Sequence, residues 1–268
     1  IITDVDNKEF KVIKNISKKR KLKLITIGSN CGDIKISHYK YKGNNQLVKI
    51  FIKSKTLILE IPLIGYFQIK NLFMAVMLAI SCGIDVDKIL KQIRKIKPVI
   101  GRLECVVNLK NNSNIIVDFA HTPDALEKSL IALTEHFKKE IVLVFGCGGE
   151  RDKNKRFKMG KIAKKYCRKV FVTDDNPRNE DPKKIRKDII KGCKSLAINI
   201  GNRKKAIEEA IKELQANEIL LVAGKGHEED QNFGNKIINF SDKKVIKEII
   251  SKKDFVFTKN YHQDSLLN

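Results

Sequence analysis

With 268 residues, 42% of them apolar, the chain is long enough for one large or two ordinary domains with real cores. Its formal charge of +23 spreads over nearly every expected helix without an aromatic-basic stripe, so nucleic-acid binding is not indicated, although the excess attracts anionic nucleotides. Cys31, Cys82, Cys105, Cys147, Cys167 and Cys193 form no C-x-x-C pair, and no run of about 18 apolar residues occurs, which excludes a zinc-ribbon or disulfide framework and a helical membrane span. The expectation is a cytoplasmic protein with reduced thiols. Ile1-Ile2-Thr3-Asp4-Val5-Asp6 reads like mid-domain sequence, so the chain is expected to be the C-terminal part of something longer.

Residues 1 to 66 read as an incomplete β-rich piece. Strands are expected at Leu47 to Ile52 and Thr56 to Ile61, joined by the hairpin-length link Lys53-Ser54-Lys55. Ile69, Leu72, Phe73, Val76, Met77 and Ile80 lie at helical spacing, with Gly83 placed to end that helix. Asp85 is placed to cap a second helix carrying Ile89, Leu90 and Ile93, ended by Pro98.

From Gly101 strands and helices alternate. Ile115 to Phe119, Ile141 to Phe145, Val170 to Val172, Ala197 to Ile200 and Glu218 to Val222 are apolar strands, each followed by a polar turn and a helical pattern. Thr122-Pro123 is a cap with proline at the first helical position. The repetition predicts an α/β fold with a doubly wound, mostly parallel sheet, in which ligands sit beyond the carboxyl ends of the strands. The segment after about Ser251, with Tyr261-His262-Gln263-Asp264, has weak periodicity and reads as a loose tail.

Every polar motif falls at such a strand end. Asp175-Asn176-Pro177-Arg178 follows Val170 to Val172. Pro177 fixes its own φ and biases Asn176 toward extended backbone, so Arg178 is placed to offer a fixed fork to a carboxylate; a simple turn capping the next helix is the other reading. Gly146-Cys147-Gly148-Gly149-Glu150-Arg151 is either a turn needing positive φ or a cradle for an anion, with Arg151 at the ligand edge. In Ala223-Gly224-Lys225-Gly226-His227-Glu228 the carboxylate of Glu228 can take an ammonium group, while His227 reads as structural. Asp118-Phe119-Ala120-His121 can hold a ribose and a base, or serve only the helix start. Together Arg151, Asn176, Arg178 and Glu228 complement a zwitterionic amino-acid group.

Gly101-Arg102-Leu103-Glu104, Asp118 to Leu126, Gly146 to Lys153, Asp175 to Arg178 and Ala223 to Glu228 stand in the order and spacing of the Mur ligases, and the chain resembles that family over residues 1 to 250. It is most similar to members that join meso-diaminopimelate to UDP-N-acetylmuramoyl-L-alanyl-D-glutamate in peptidoglycan synthesis. The resemblance implies that residues 1–100 are the tail of a central ATPase domain and that residues 101–268 are a Rossmann-like, amino-acid-binding C-terminal domain. It implies diaminopimelate contacts at Arg151, Asp175, Asn176, Pro177, Arg178, Gly224 and Glu228. ATP contacts are implied at Asn71, Arg102 and His121, with Mg2+ as a further cofactor. Relatives that add lysine lack the motif's arginine, as expected if an unpaired buried fork is costly.

The sequence departs from the family at Gln68, where relatives carry asparagine. It also has no G-x-x-G-K-[ST] loop and none of the family's magnesium-holding residues, so no catalytic or metal residue is expected here and the chain alone is expected to lack ligase activity. The implied partners are the two substrates and the missing N-terminal and central segments, with no nucleic acid and no membrane insertion. Other readings are a non-enzymatic amino-acid-binding module, a Mur-type ligase for a different amino acid, and a basic nucleic-acid-binding protein.

Overall fold

The computed structural model describes residues 1–52, 55–93 and 95–252, the side chains of His38 and Tyr39 excepted. Lys53 and Ser54 of the expected hairpin link lie outside the described residues, as does the tail with Tyr261 to Asp264. The chain divides into two compact units, Ile1–Pro98 and Val99–Asn268.

In the first unit, β1 (Ile2–Asp4), β2 (Ile25–Gly28), β3 (Ile34–Lys42), β4 (Asn45–Ile52) and β5 (Lys55–Ile61) form one sheet in that order. The pairs β1–β2 and β2–β3 are parallel, and the two hairpin pairs that follow are antiparallel. The helix α1 (Phe10–Lys19) makes the β1-to-β2 crossover, whereas the short β2–β3 pairing is linked by residues 29–33 alone. The β-rich reading of residues 1 to 66 holds for this sheet, and α1 is the one element it did not foresee. Phe10 and Ile13 are only half-buried and Ser17 is the buried residue of α1, while Val12 and Ile16 are exposed, so only part of its apolar side is covered.

The helix α2 (Tyr66–Ser81) buries Ile69, Phe73, Val76 and Met77 against the sheet, and Gly83 beyond its end has a φ of +90°. Asp85 caps α3 (Val86–Ile93), its Oδ1 accepting from the amides of Asp87 at 3.1 Å and Lys88 at 3.0 Å.

In the second unit, β6 (Glu104–Asn108), β7 (Asn114–Asp118), β8 (Glu140–Phe145), β9 (Lys169–Val172), β10 (Ala197–Asn199) and β11 (Glu218–Ala223) form a sheet ordered β10-β9-β8-β11-β7-β6. Only β6 runs antiparallel. The crossovers are α4 (Pro123–Phe137), α5 (Asn154–Tyr166), α6 (Pro182–Cys193) and α7 (Arg203–Lys212). Beyond β11 lie the short hairpin of β12 (Asp230–Asn232) and β13 (Ile237–Asn239) and then α8 (Asp242–Ser251).

Ile115, Val117, Val142, Val144, Leu220 and Val222 pack against Ala206, Ile207, Ala210 and Ile211 of α7 and Val245, Ile246 and Ile249 of α8. Their neighbours Ile116, Leu143 and Leu221 point to the other face and are also fully buried, where α4, α5 and α6 contact β8, β9 and β10. Covering both faces explains why these strands read as continuous apolar runs. It also leaves the strand ends as the place for polar groups to gather.

Candidate functional site

The parallel strands β7, β8, β9 and β11 all release their chains at one edge of the sheet, which brings residues 118–122, 146–151, 173–178 and 224–228 together. The turns after β8 and β9 are in direct backbone contact. A Cβ on Gly146 would lie 2.4 Å from the carbonyl oxygen of Thr173, and one on Gly149 would lie 1.9 Å from that of Pro177. No side chain fits at either position, so these glycines serve close approach.

Asn176 lies at the centre. Its Oδ1 accepts from Lys225 Nζ at 3.2 Å and from the Asn232 amide at 3.0 Å, which fixes the orientation of the amide. Its Nδ2 then donates to Glu228 Oε2 at 3.1 Å. Lys225 is fully buried and donates to the same Oε2 at 2.9 Å. Glu228 Oε1 has no protein partner among the described residues, and its side chain is 33% exposed. One carboxylate oxygen is thus anchored and the other is available.

Asp175 is buried beside this group, with Oδ1 accepting from the Asn176 amide at 2.7 Å. Its Oδ2 sits where a Cβ on Gly224 would come within 2.8 Å, and Gly224 has a φ of +114°, so both space and backbone require glycine. Behind Asp175 lies Arg203, whose Nε and Nη2 bind Asp242 at 2.7 and 2.8 Å, Nη2 also reaching the Ala223 carbonyl at 2.9 Å. Arg203 Nη1 is buried without a hydrogen-bond partner, 3.9 Å from Asp175 Oδ2. Burial works against its charge, but Asp242, Asp175 and Glu228 outweigh that and raise its affinity for the proton. Gln231 Nε2 donates to the carbonyls of Asp174 at 3.1 Å and Asp175 at 2.7 Å, tying the hairpin to the turn.

Arg178 forms the opposite wall. Its Nη1 donates to the Gly149 carbonyl at 2.7 Å and to the Asn176 carbonyl at 3.4 Å, leaving Nε and Nη2 without a partner among the described residues. Its backbone is left-handed, with a φ of +52°. A Cβ on Gly148 would lie 3.0 Å from Arg178 Nη1 and 3.9 Å from Arg151 Cγ, so the two guanidinium side chains flank one glycine. Arg151 is exposed and donates through Nη1 to the Glu150 carbonyl at 3.3 Å. The sequence-predicted set Arg151, Asp175, Asn176, Pro177, Arg178, Gly224 and Glu228 therefore forms one continuous rim.

Several neighbours are structural. Asp174 turns away to Arg186; burial pushes its carboxyl above the usual range and the Arg186 guanidinium only partly opposes that. Burial pushes the Cys147 thiol up to about 12, so the cysteine in the glycine turn is inert packing. The ribose-binding reading of Asp118 is corrected. Its Oδ1 accepts from the Leu103 amide at 2.9 Å, and its Oδ2 accepts from the Ala120 amide at 3.1 Å and from Ser129 Oγ at 2.7 Å. The buried carboxylate is spent on joining β7 to α4 and to the Gly101 turn.

A second cluster surrounds Phe119. The Arg102 guanidinium lies over its ring at 4.3 Å, and the rings of His121 and His227 lie 4.7 and 5.3 Å away. His121 Nδ1 is 2.9 Å from the Phe119 carbonyl, and Lys155 Nζ donates to the His121 carbonyl at 2.9 Å. Asn71 belongs to the other unit, exposed on α2. Gln68 is buried there, with Nε2 donating to the Ile64 carbonyl at 3.1 Å.

Sequence reasoning gave Lys225 no role and missed Arg203, Asp242 and Gln231. Arg203 opens a helix beside Lys204 and Lys205, and no local pattern separates the buried cation from the solvated ones.

Residues 101–226 match the family described as Mur ligase, glutamate ligase domain, and residues 1–79 match the Mur ligase middle domain. The chain is 41% identical over 236 residues to UDP-N-acetylmuramoyl-L-alanyl-D-glutamate–2,6-diaminopimelate ligase of Zymomonas mobilis, covering 87% of this chain and 48% of that one. It is 42% identical over 247 residues to the protein of the same name from Rickettsia bellii, covering 91% and 51%. A solved structure of an enzyme with that name superposes with a TM-score of 0.62 at 30% identity, covering 93% of this chain and 52% of the other. The chain thus spans about half the length of the curated relatives it matches. With both domains matched in one polypeptide, the chain belongs to the Mur ligase family.

Proposed function

We propose that this chain is the amino-acid-binding part of an ATP-dependent amide ligase that adds meso-diaminopimelate to UDP-N-acetylmuramoyl-L-alanyl-D-glutamate. The observation that carries the reading is the pairing on one rim of an Arg178 fork, half held by backbone carbonyls, with a Glu228 carboxylate that keeps one oxygen open. A ligand with a carboxylate and an ammonium on one carbon satisfies both. Arg178, with Arg151 beside it, takes the carboxylate as a charge-assisted fork, and Glu228 Oε1 takes the ammonium. Asp175, Pro177 and Gly224 shape the wall between them.

Diaminopimelate carries this group at both ends, so gripping one end leaves the other amine free to react. In the proposed reaction the D-glutamyl side-chain carboxylate accepts a phosphoryl group from ATP to give an acyl phosphate and ADP. The free amine attacks the carbonyl carbon, phosphate departs with the electron pair of the C–O bond, and the nitrogen loses a proton. This chain's part is positional: holding the amine in line supplies much of the rate in such reactions. Arg102 and His121 are proposed nucleotide contacts, their planar groups gathered at Phe119, and Asn71 is proposed as a third. For Mg2+, the described residues contain no grouping of His, Cys, Asp and Glu able to hold a metal ion, so no step is assigned to it here.

Calorimetric titration of this chain with meso-diaminopimelate and with 1,5-diaminopentane, which has the same amines and no carboxylate, tests the reading. The expected result is binding of diaminopimelate at least about tenfold tighter than the diamine, because the diamine leaves the Arg178 fork unpaired. Equal affinity for the two overturns the assignment.

A further inference from the structure

We propose that Lys225 is a positioning residue that makes the site selective for an ammonium group, acting through Glu228. The inference rests on the amino-acid-binding reading above and goes beyond it by explaining how Glu228 is set for its ligand. Lys225 has no exposed surface, and burying an ammonium is costly unless it is fully paired. Its described partners are Glu228 Oε2 at 2.9 Å and Asn176 Oδ1 at 3.2 Å. Both lie on the rim, so the buried cation spends its hydrogen bonds on the two side chains proposed to face the ligand.

The geometry has two consequences. Lys225 and Asn176 converge on one oxygen of Glu228, so the carboxylate plane is fixed and Oε1 is the atom left to receive a donor. The charges around it also balance through Lys225. Arg203 feels Asp242, Asp175 and Glu228 together, and with Lys225 these make three carboxylates against two cations. An arriving ligand ammonium brings the cluster to neutrality. Without Lys225 three carboxylates would share one guanidinium, and Glu228, already 33% exposed, would turn out toward solvent.

The experiment measures two discriminations by calorimetry, in the wild-type chain and in Lys225→Met. One compares meso-diaminopimelate with pimelate, which keeps both carboxylates but has no amine at either end. The other compares meso-diaminopimelate with 1,5-diaminopentane, which has no carboxylate at either end and reports on Arg178. In Lys225→Met the first ratio is expected to fall by about tenfold or more, while the second stays within about twofold, because only the ammonium acceptor has been disturbed. Should both ratios fall alike, Lys225 is merely structural and the inference is overturned; should neither fall, it is overturned as well. The Glu228→Gln/Lys225→Met chain removes both members of the pair, leaves no orphaned buried charge, and guards against a single variant that does not fold. Its ammonium ratio is expected to equal that of Glu228→Gln alone, and a further loss in the double variant also overturns the inference. A wild-type chain that prefers diaminopimelate to 1,5-diaminopentane yet ignores the missing amines of pimelate overturns the Lys225 inference alone, whereas one that binds none of the three ligands overturns the functional reading itself.

Discussion

Asp118 and Glu228 are both carboxylates at the ends of neighbouring parallel strands, and their hydrogen bonding differs. Asp118 is buried and both oxygens are taken by donors of the protein, from Leu103, Ala120 and Ser129. Among the described residues Glu228 has two donors on one oxygen and none on the other. Position at a strand end does not by itself make a ligand group; unspent acceptor capacity does. The same count separates Arg186, committed to Asp174 and Asn199, from Arg178, whose Nε and Nη2 have no partner among the described residues.

The contrast is open to direct attack. Asp118→Ala strands three donors in the core and is expected to cost about 3 kcal/mol or more, read as a fall in thermal midpoint with any ligand effect following unfolding. Arg178→Ala is expected to leave the midpoint nearly unchanged while weakening diaminopimelate by about 2 kcal/mol and abolishing the preference over 1,5-diaminopentane. A large stability loss there would place Arg178 with Asp118 among the structural groups. Thr122→Ala removes the side-chain cap that accepts from the Ala125 amide at 3.2 Å, and denaturant unfolding should show a loss of about 1 kcal/mol with binding intact.

A smaller effect sharpens the comparison in the first unit, where Asp6 is satisfied but only partly covered. Burial pushes its carboxyl up, but hydrogen bonds from Lys70 and Ser29 outweigh this and hold it below the ordinary 3.8. The stability it supplies is complete above that value and is lost as pH falls through the lower value of the folded state. Asp6 is 38% exposed, so the amount is on the order of 0.5 kcal/mol. Acid titration of unfolding should be shallower in Lys70→Met than in the parent chain, and identical curves would show the pair to be idle.

Much of this was readable from the residues. Apolar runs buried on both faces announced the parallel sheet, and the breaks after Val117, Phe145, Val172 and Val222 located the polar edge. Thr122-Pro123 and Asp85 signalled their helices because capping is local chemistry. What escaped was non-local. Lys225 looks like any of the surface lysines until β9 and β11 take their places on either side of β8, and the Arg203–Asp242 pair joins residues 39 positions apart. The helix α1 escaped because its inward face carries only two apolar residues, Phe10 and Ile13, beside the polar Ser17. Asp118 was ambiguous for the same reason, since its donors come from three separate segments.

The left-handed backbone at Arg178 has a wider consequence. An arginine there bears a conformational penalty of about 1 kcal/mol that glycine would escape. Screening variants of this chain for heat resistance alone would therefore reward the loss of its guanidinium. Tolerance of temperature and choice of substrate pull on this single codon in opposite directions, so any effort to harden the protein has to monitor which amino acid it still accepts.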